Sequence, residues 1–142
     1  MVELDSLNAS FLHGALGSTE LKDAAVVVAD AGITDVYLDA VPADLLLLGG
    51  VFANITLADA SRTVTALTQM CRPGATVVWT SYGPRLDEAD EVLALFETSS
   101  FERVELQRDT DGHYLVAAHR YSGPAQVLPA GQRFFGFSSD QS

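Results

Sequence analysis

Acidic residues and glycines stand at or just after short apolar runs at three places in the sequence: Glu3, Asp30-Ala31 and Gly49-Gly50. A carboxylate at the end of a strand can accept hydrogen bonds from both hydroxyls of a ribose. A glycine lets a ligand approach the backbone closely because it has no side chain. If the apolar runs are parallel strands, their carboxyl ends meet at the edge where such sheets bind ligands. The pattern therefore predicts a site for a nucleotide-type cofactor.

Each of these residues also has a simpler explanation. Glu3 could be a solvated acid near the N-terminus, with Asp5 as the ribose ligand if the register is shifted by two residues. Asp30 could cap a helix or form a turn, which aspartate does well. Gly49 and Gly50 could make only a tight turn. The sequence leaves both explanations open.

Three later residues are candidates for the substrate side of the same site: Phe52, Asn54 and Trp79. Phe52 and Asn54 share the loop that begins at the glycines, and Trp79 stands near the end of another apolar run. Packing and turn formation are the alternatives, and a core position is favoured for Trp79 because the indole is large. No residue is identified as a catalytic acid or base.

The histidines and the cysteine do not form a recognisable site. His13, His113 and His119 are not at the spacing of metal ligands, so no metal is predicted and the histidines are assigned to solvent or packing. Cys71 is the only cysteine, which excludes an internal disulfide and favours a reducing, cytoplasmic location. Its position at the end of a predicted helix favours burial over reactivity.

The apolar pattern predicts the elements that must position these residues. Continuous apolar runs are typical of buried strands, and there are three: Ala24–Ala29, Asp44–Leu48 and Ala75–Thr80. Helical spacing predicts three helices: Leu7–Leu16, Thr56 to about Met70, and Pro84–Thr98. An Asp-Gly pair between two alternating runs predicts an antiparallel hairpin from Phe101–Gln107 and His113–His119. Strands alternating with helices indicate an α/β fold with a parallel sheet.

With these elements the sequence resembles the class I S-adenosylmethionine-dependent methyltransferases over residues 2–120. Val2-Glu3-Leu4-Asp5-Ser6 is similar to the end of the family's second strand, where an acid takes the ribose hydroxyls. Val28-Ala29-Asp30-Ala31 is similar to the end of the third, where an aspartate contacts the adenine amino group. Pro42-Ala43-Asp44-Leu45-Leu46-Leu47 resembles the stretch that opens the fourth strand. Met70-Cys71-Arg72-Pro73-Gly74-Ala75 resembles the turn before the fifth.

The resemblance implies a Rossmann-like, mostly parallel sheet with a C-terminal antiparallel hairpin. It implies S-adenosylmethionine as cofactor, held by Glu3, Asp30, Ala31, Gly49 and Gly50. The sequence departs from the family because only Met1 and Val2 precede Glu3, where the first strand and its glycine-rich loop are expected. The chain is therefore expected to be part of a larger enzyme, to receive a strand from another chain, or to be a degenerate relative with another role.

The net charge and the apolar runs of the chain exclude some classes of ligand and some locations. The chain has 142 residues and a formal net charge of -11, which argues against binding the backbone of nucleic acids. The longest apolar run, Ala43 to Phe52, is too short to span a membrane, and no signal peptide is visible. A small-molecule substrate is expected.

From these observations we expect the protein to be a methyltransferase, that is, a transferase that moves a methyl group to an unidentified acceptor. We expect residues 1–120 to form the partial α/β domain and residues 121–142 a C-terminal tail. The alternative is a non-catalytic module that acts through a homodimer or through a partner chain that completes the sheet. A nicotinamide dehydrogenase is a weaker third hypothesis, because the predicted terminal antiparallel hairpin is evidence against it.

Overall fold

The computed structural model describes all of residues 31–136 and, nearer the N-terminus, the backbone of two short strands at 2–3 and 27–28. The elements in chain order are β1 (Val2–Glu3), β2 (Val27–Val28), β3 (Ala43–Leu48), α1 (Leu57–Met70), β4 (Cys71–Tyr82), α2 (Ala89–Glu97), β5 (Phe101–Arg108) and β6 (Tyr114–Tyr121). Two 3-10 helices, Thr34–Tyr37 and Gly83–Glu88, precede β3 and α2. The helix predicted at Leu7–Leu16, and residues Asp5 and Asp30, lie outside the described residues.

The strands form two sheets. β1 and β2 are parallel, with Glu3 level with Val28. The other four strands form one sheet in the order β3-β4-β6-β5. Only β3 and β4 are parallel in it, while β4–β6 and β5–β6 are antiparallel. The prediction of a mostly parallel sheet is therefore wrong for this sheet, because the hairpin supplies two of its four strands and inserts β6 beside β4. The predicted hairpin itself is confirmed.

Helix α1 forms where its capping pattern predicts it. The Thr56 hydroxyl oxygen accepts a hydrogen bond from the Asp59 backbone N–H at 3.2 Å, an N-cap that stabilises a helix by about 1 kcal/mol. The helix buries its apolar stripe against the sheet through Ala60, Val64, Leu67 and Met70. It ends at Met70, and the backbone becomes extended at Cys71.

The second helical segment is divided, although one continuous helix is predicted over Pro84–Thr98. The chain first winds as a 3-10 helix and becomes α-helical only at Ala89. Gly83 has a φ of 70°, and the proline that follows lacks a backbone N–H. A proline fits the first turn of a helix, where that N–H has no partner.

Helices α1 and α2 cover one face of the four-stranded sheet. That face carries alternate residues of the two central strands, all of them buried: Val77, Trp79 and Ser81 of β4, and Leu115, Ala117 and His119 of β6. The other face, which we call the open face, includes Leu45 and Leu47 of β3, whose side chains are 56% and 69% exposed. The prediction that Asp44–Leu48 is a buried strand is therefore wrong for the residues on this face.

Residues 122–136, which we call the C-terminal strap, pack against α1 and the first 3-10 helix. Ile33 and Arg133 form an isolated antiparallel bridge. The Gly131 N–H donates to an Asp35 carboxylate oxygen at 2.9 Å. Phe134 and Phe135 are buried. The strap therefore lies on the body of the fold, while the domain boundary at residue 120 stays a prediction. No helix within the described ranges has the length and apolar character needed to cross a bilayer.

Candidate functional site

A glycine turn follows β3 at the carboxyl edge of the sheet. The N–H of Gly50 donates to the Thr80 hydroxyl at 2.8 Å, and the Gly50 carbonyl accepts from the Asn54 side-chain amide at 2.7 Å. Gly50 has a φ of 71°, which L-residues rarely adopt. The turn is thus fixed both to β4 and to its own loop. Gly50 and Asn54 are therefore in direct contact, while the roles predicted for Gly49, Gly50 and Asn54 stay predictions.

The two glycines differ in their surroundings. A Cβ atom on Gly49 would meet none of the described residues within 4 Å, so within that part of the chain its backbone faces open space. A Cβ atom on Gly50 would lie 3.2 Å from Cε1 of Tyr82. The turn therefore offers exposed backbone on one side and contacts an aromatic ring on the other. This is the local arrangement that lets a ligand approach the main chain, although a cofactor contact at these glycines stays a prediction.

Phe52 and Trp79, predicted near the substrate, lie in the core. Phe52 is 3% exposed and Trp79 is fully buried, with ring centroids 5.1 Å apart. Both rings contact Phe96, on which the indole stacks at 5.5 Å. This burial corresponds to the packing alternative for both residues. A direct contact with substrate stays a prediction.

The residues predicted to hold adenosine are described only in part. Glu3 is placed by its backbone in β1, and Asp30 lies outside the described residues. Ala31 is half-buried, and its carbonyl accepts a hydrogen bond from the Tyr37 hydroxyl at 2.6 Å. The parallel pairing of β1 with β2 brings Glu3 level with Val28. The roles of these three residues stay predictions.

A polar network joins β4, β6 and α2, and in it Trp79 and His119 are buried while Glu97 is partly exposed. The Trp79 indole N–H donates to Nδ1 of His119 at 3.2 Å, and Nε2 of His119 lies 2.9 Å from the Glu97 carboxylate. Because the indole N–H can only donate, Nδ1 must accept and the histidine proton is assigned to Nε2. Arg103 completes the network with two hydrogen bonds to Glu97, at 3.0 and 3.2 Å.

Burial favours the neutral form of His119. Burial lowers the pKa of His119, and the Arg103 charge adds to this, while the neighbouring Glu97 raises it less. Partial burial alone would raise the pKa of Glu97, but hydrogen bonds from His119 and Arg103 and their charges bring that pKa below its usual value. The sequence offered no signal for this network beyond the presence of a histidine in an apolar strand.

Two other groups with reactive atoms are placed away from the turn. Burial raises the pKa of the Cys71 thiol to about 12, so the sulfur stays protonated and unreactive. Asp109, Asp111 and His113 have ligand atoms within 4.8 Å of one another in the exposed β5–β6 turn. One Asp109 oxygen already accepts the backbone N–H groups of His113 and Tyr114, which gives the aspartate a structural role.

Thr80, Tyr82 and Tyr114 belong to the carboxyl edge of the sheet and were missed from the sequence. Thr80 binds the Gly50 N–H, and the Tyr82 hydroxyl accepts from the Asn54 amide at 3.3 Å. Tyr114 is the cross-strand partner of Tyr82. The sequence did contain a signal for two of them. Thr80 and Tyr82 alternate with the core residues Trp79 and Ser81 along one strand, so they lie on the opposite face of the sheet.

Together, the sheet order, the glycine turn and the terminal hairpin define the class of fold. It is an α/β, Rossmann-like fold in which an antiparallel strand is inserted beside a parallel one. No protein-family model matches the sequence, and no curated protein matches it at a significant level. Comparison with solved structures gives the particular proteins that share the fold.

The N-methyltransferase NodS from Bradyrhizobium japonicum WM9 is 13% identical, with a TM-score of 0.60 over 86% of this chain and 72% of NodS. Its complex with S-adenosyl-L-homocysteine gives a TM-score of 0.61. A SAM-dependent methyltransferase from Methanosarcina mazei is 11% identical, with a TM-score of 0.57 over 85% of this chain and 80% of that one. These likenesses show the methyltransferase fold at a distant level.

A structure described as a possible exported protein from Bordetella parapertussis is 14% identical, with a TM-score of 0.68. The match covers 86% of this chain and 52% of that protein. The chain thus spans about half the length of this structural neighbour.

Proposed function

We propose that this protein is a methyltransferase that binds S-adenosylmethionine at the carboxyl edge of its sheets and methylates a small molecule. The observation that carries the proposal is the Gly49-Gly50 turn, which presents open backbone at the end of a parallel strand. Ligands of open α/β sheets bind at this edge. The fold shared with NodS, whose structure includes S-adenosyl-L-homocysteine, supports the same cofactor.

The described residues fit a cofactor on the glycine side. Gly49 leaves room for a ligand against the main chain, while Thr80 and Asn54 hold the Gly50 peptide in place. Glu3 and Asp30 would take the ribose and the adenine. The bound cofactor supplies an electrophilic methyl group. The protein's contribution is then to hold the nucleophile in line with that group, which can lower the barrier by several kcal/mol without a strong base.

The charge of the protein supports a small, uncharged or cationic acceptor. A net charge of -11 repels polyanions, so nucleic acid is not the acceptor in this proposal. The polar side chains joined to the glycine turn are two hydroxyls and an amide, from Thr80, Tyr82 and Asn54. Such neutral groups orient a ligand by hydrogen bonds.

We expect isothermal titration calorimetry of the protein with S-adenosyl-L-homocysteine to show saturable one-to-one binding. Gly49→Val should weaken this binding at least about tenfold, or about 1.4 kcal/mol, because its side chain enters the space left for the ligand. The melting temperature should change little, since a Cβ at Gly49 meets no neighbour among the described residues.

Gly136→Val is the matched control for that substitution. Within residues 31–136 a Cβ at Gly136 also meets nothing within 4 Å, and the Gly136 N–H donates to Asp59 of α1, in a different part of the fold. We expect this variant to bind like the unsubstituted protein. An absence of binding by the unsubstituted protein, or equal affinities for all three, would contradict the proposed function.

A second candidate function, self-association as a module, is supported by the outer edge of β3, with which no other strand of the described residues pairs. The other edge strand of the sheet, β5, carries charged residues that discourage pairing: Glu102, Arg103, Glu105 and Arg108. The only charged residue of β3, Asp44, is paired with Arg72 at 2.9 Å. An antiparallel pairing of two copies centred on Leu46 would bring Leu45 opposite Leu47 on the open face, with no like charges opposed.

For this second candidate we expect sedimentation velocity to show a dimer that forms as protein concentration rises. Leu47→Glu should abolish the dimer because it places two carboxylates in the leucine contact. Val104→Glu is the matched control, since Val104 is 50% exposed on the opposite edge strand and should leave the dimer intact. A protein that stays monomeric, or a dimer unaffected by Leu47→Glu, would remove this candidate.

A further inference from the structure

Two tyrosines stand side by side at the end of the sheet that carries the glycine turn. Tyr82 of β4 and Tyr114 of β6 are directly opposite each other in the antiparallel register. Directly opposite residues project from the same face of a sheet. The side chains beside them along each strand, Ser81 and Leu115, are buried under the helices. The tyrosines therefore belong to the open face, and each is 44% exposed.

The ring of Tyr82 is attached to the glycine turn. It lies against Gly50, where an added Cβ would be 3.2 Å from Cε1 and 3.3 Å from the hydroxyl oxygen. The Asn54 amide donates to the Tyr82 hydroxyl at 3.3 Å and to the Gly50 carbonyl at 2.7 Å. One asparagine thus ties the tyrosine to the backbone of the turn. A ligand lying on this ring would therefore lie close to the glycine turn at Gly50.

The Tyr82 hydroxyl has a hydrogen left to donate. Its oxygen accepts from Asn54, and within residues 31–136 its own O–H is directed to no acceptor. Neither Tyr82 nor Tyr114 packs its ring against another aromatic ring in that range, so ring surface is accessible on both. Tyrosine supplies a large, rigid apolar surface with a polar tip, a combination suited to holding a flat molecule that carries one polar group.

We propose that Tyr82 and Tyr114 form the wall on which the methyl acceptor lies, and that the acceptor is a small, uncharged aromatic molecule with a hydroxyl or amine. This inference rests on the proposed function and names its substrate class. Stacking on the tyrosines places the ring, and the Tyr82 O–H binds an oxygen or nitrogen of the acceptor. The transfer breaks one C–S bond and forms one C–O or C–N bond. The electron pair stays on sulfur, and the proton of the acceptor leaves to water.

The test compares binding of 2-naphthol with binding of its saturated analogue, decahydro-2-naphthol, by calorimetry. We expect 2-naphthol to bind at least about tenfold more tightly, because only the aromatic compound can stack on the tyrosines. Tyr82→Ala and Tyr114→Ala should each remove most of this preference. Tyr82→Phe should keep the preference but weaken 2-naphthol binding several-fold, because it loses the donor and keeps the ring.

Val104→Ala, an exposed apolar truncation on β5, is the control and should bind both compounds like the unsubstituted protein. Melting temperatures of all variants show whether each has folded. Equal binding of the two compounds, or a preference that survives both alanine variants, overturns the inference. Because these measurements need no cofactor, their outcome is independent of the S-adenosyl-L-homocysteine titration, which tests the proposed function separately.

Discussion

Replacing Phe96 by alanine is expected to lower the free energy of unfolding by about 3–5 kcal/mol. Phe96 is fully buried in α2 and contacts four rings: Phe52, Trp79, Phe101 and His119. It therefore holds the helix to the sheet, to the loop after the glycine turn and to the polar network. Alanine would leave a cavity among rigid rings that cannot all close on it. Chemical denaturation followed by circular dichroism measures the loss.

Two further variants show whether this loss is due to packing at the centre of the core. Phe96→Leu retains much of the buried volume and should cost about 1–2 kcal/mol. Val104→Ala removes an exposed side chain and should change the free energy of unfolding by less than about 0.5 kcal/mol. If Phe96→Ala costs no more than Val104→Ala, the aromatic cluster does not have the role assigned to it.

Stability is expected to fall as the pH drops below about 6.5, the usual pKa of histidine. In the folded protein burial lowers the pKa of His119, so between the two pKa values the unfolded chain binds the extra proton and is favoured. Protonation would also set an N–H at Nδ1 against the Trp79 indole N–H. Above pH 6.5 the full contribution of His119 to the free energy of unfolding is present. As the pH falls from 6.5 to the lowered pKa of the folded state, this contribution is lost, with a slope approaching about 1.4 kcal/mol per pH unit.

Glu97 affects the stability of the fold at a lower pH than His119 does. Its pKa in the fold is below the ordinary value of 4.5, so its contribution is present above 4.5 and declines as the pH falls through the lowered pKa. The measurement is denaturant unfolding at several pH values for the unsubstituted protein and His119→Gln. The glutamine can accept from Trp79 and donate to Glu97 but does not titrate. Parallel curves for the two proteins above pH 4.5 would show that His119 is not the titrating group.

The elements that local signals predict are the ones the structure reproduces best. The Thr56 cap with Asp59 three residues later fixed the start of α1, and Asp111-Gly112 fixed the hairpin. These signals work because the interactions are formed within a few residues. The leucines of β3 predicted a strand, but a run of leucines does not tell which faces its neighbours cover. The exposure of Leu47 depends on packing across the whole sheet.

The candidate site could be predicted only where its residues are close in sequence. Gly49, Gly50 and Asn54 share one loop, so their spacing was informative. Tyr82 and His119 meet their partners through pairings that span 28 and 40 residues, to Asn54 and Trp79 respectively. Such pairings follow from strand order and register, which the sequence pattern left undetermined when it predicted a mostly parallel sheet.

The C-terminal strap also sets when the fold can be finished during synthesis. Its hydrogen bonds join Gly131 to Asp35 and Gln132 to Thr34, across 96 and 98 positions. A ribosome that adds about 5–20 residues per second makes the earlier partners wait about 5–20 s for the later ones. In a nascent chain that does not yet include residue 134, the surface on which Phe134 packs stays uncovered. The last contacts of the domain therefore form only after nearly the whole of its described length has left the ribosome.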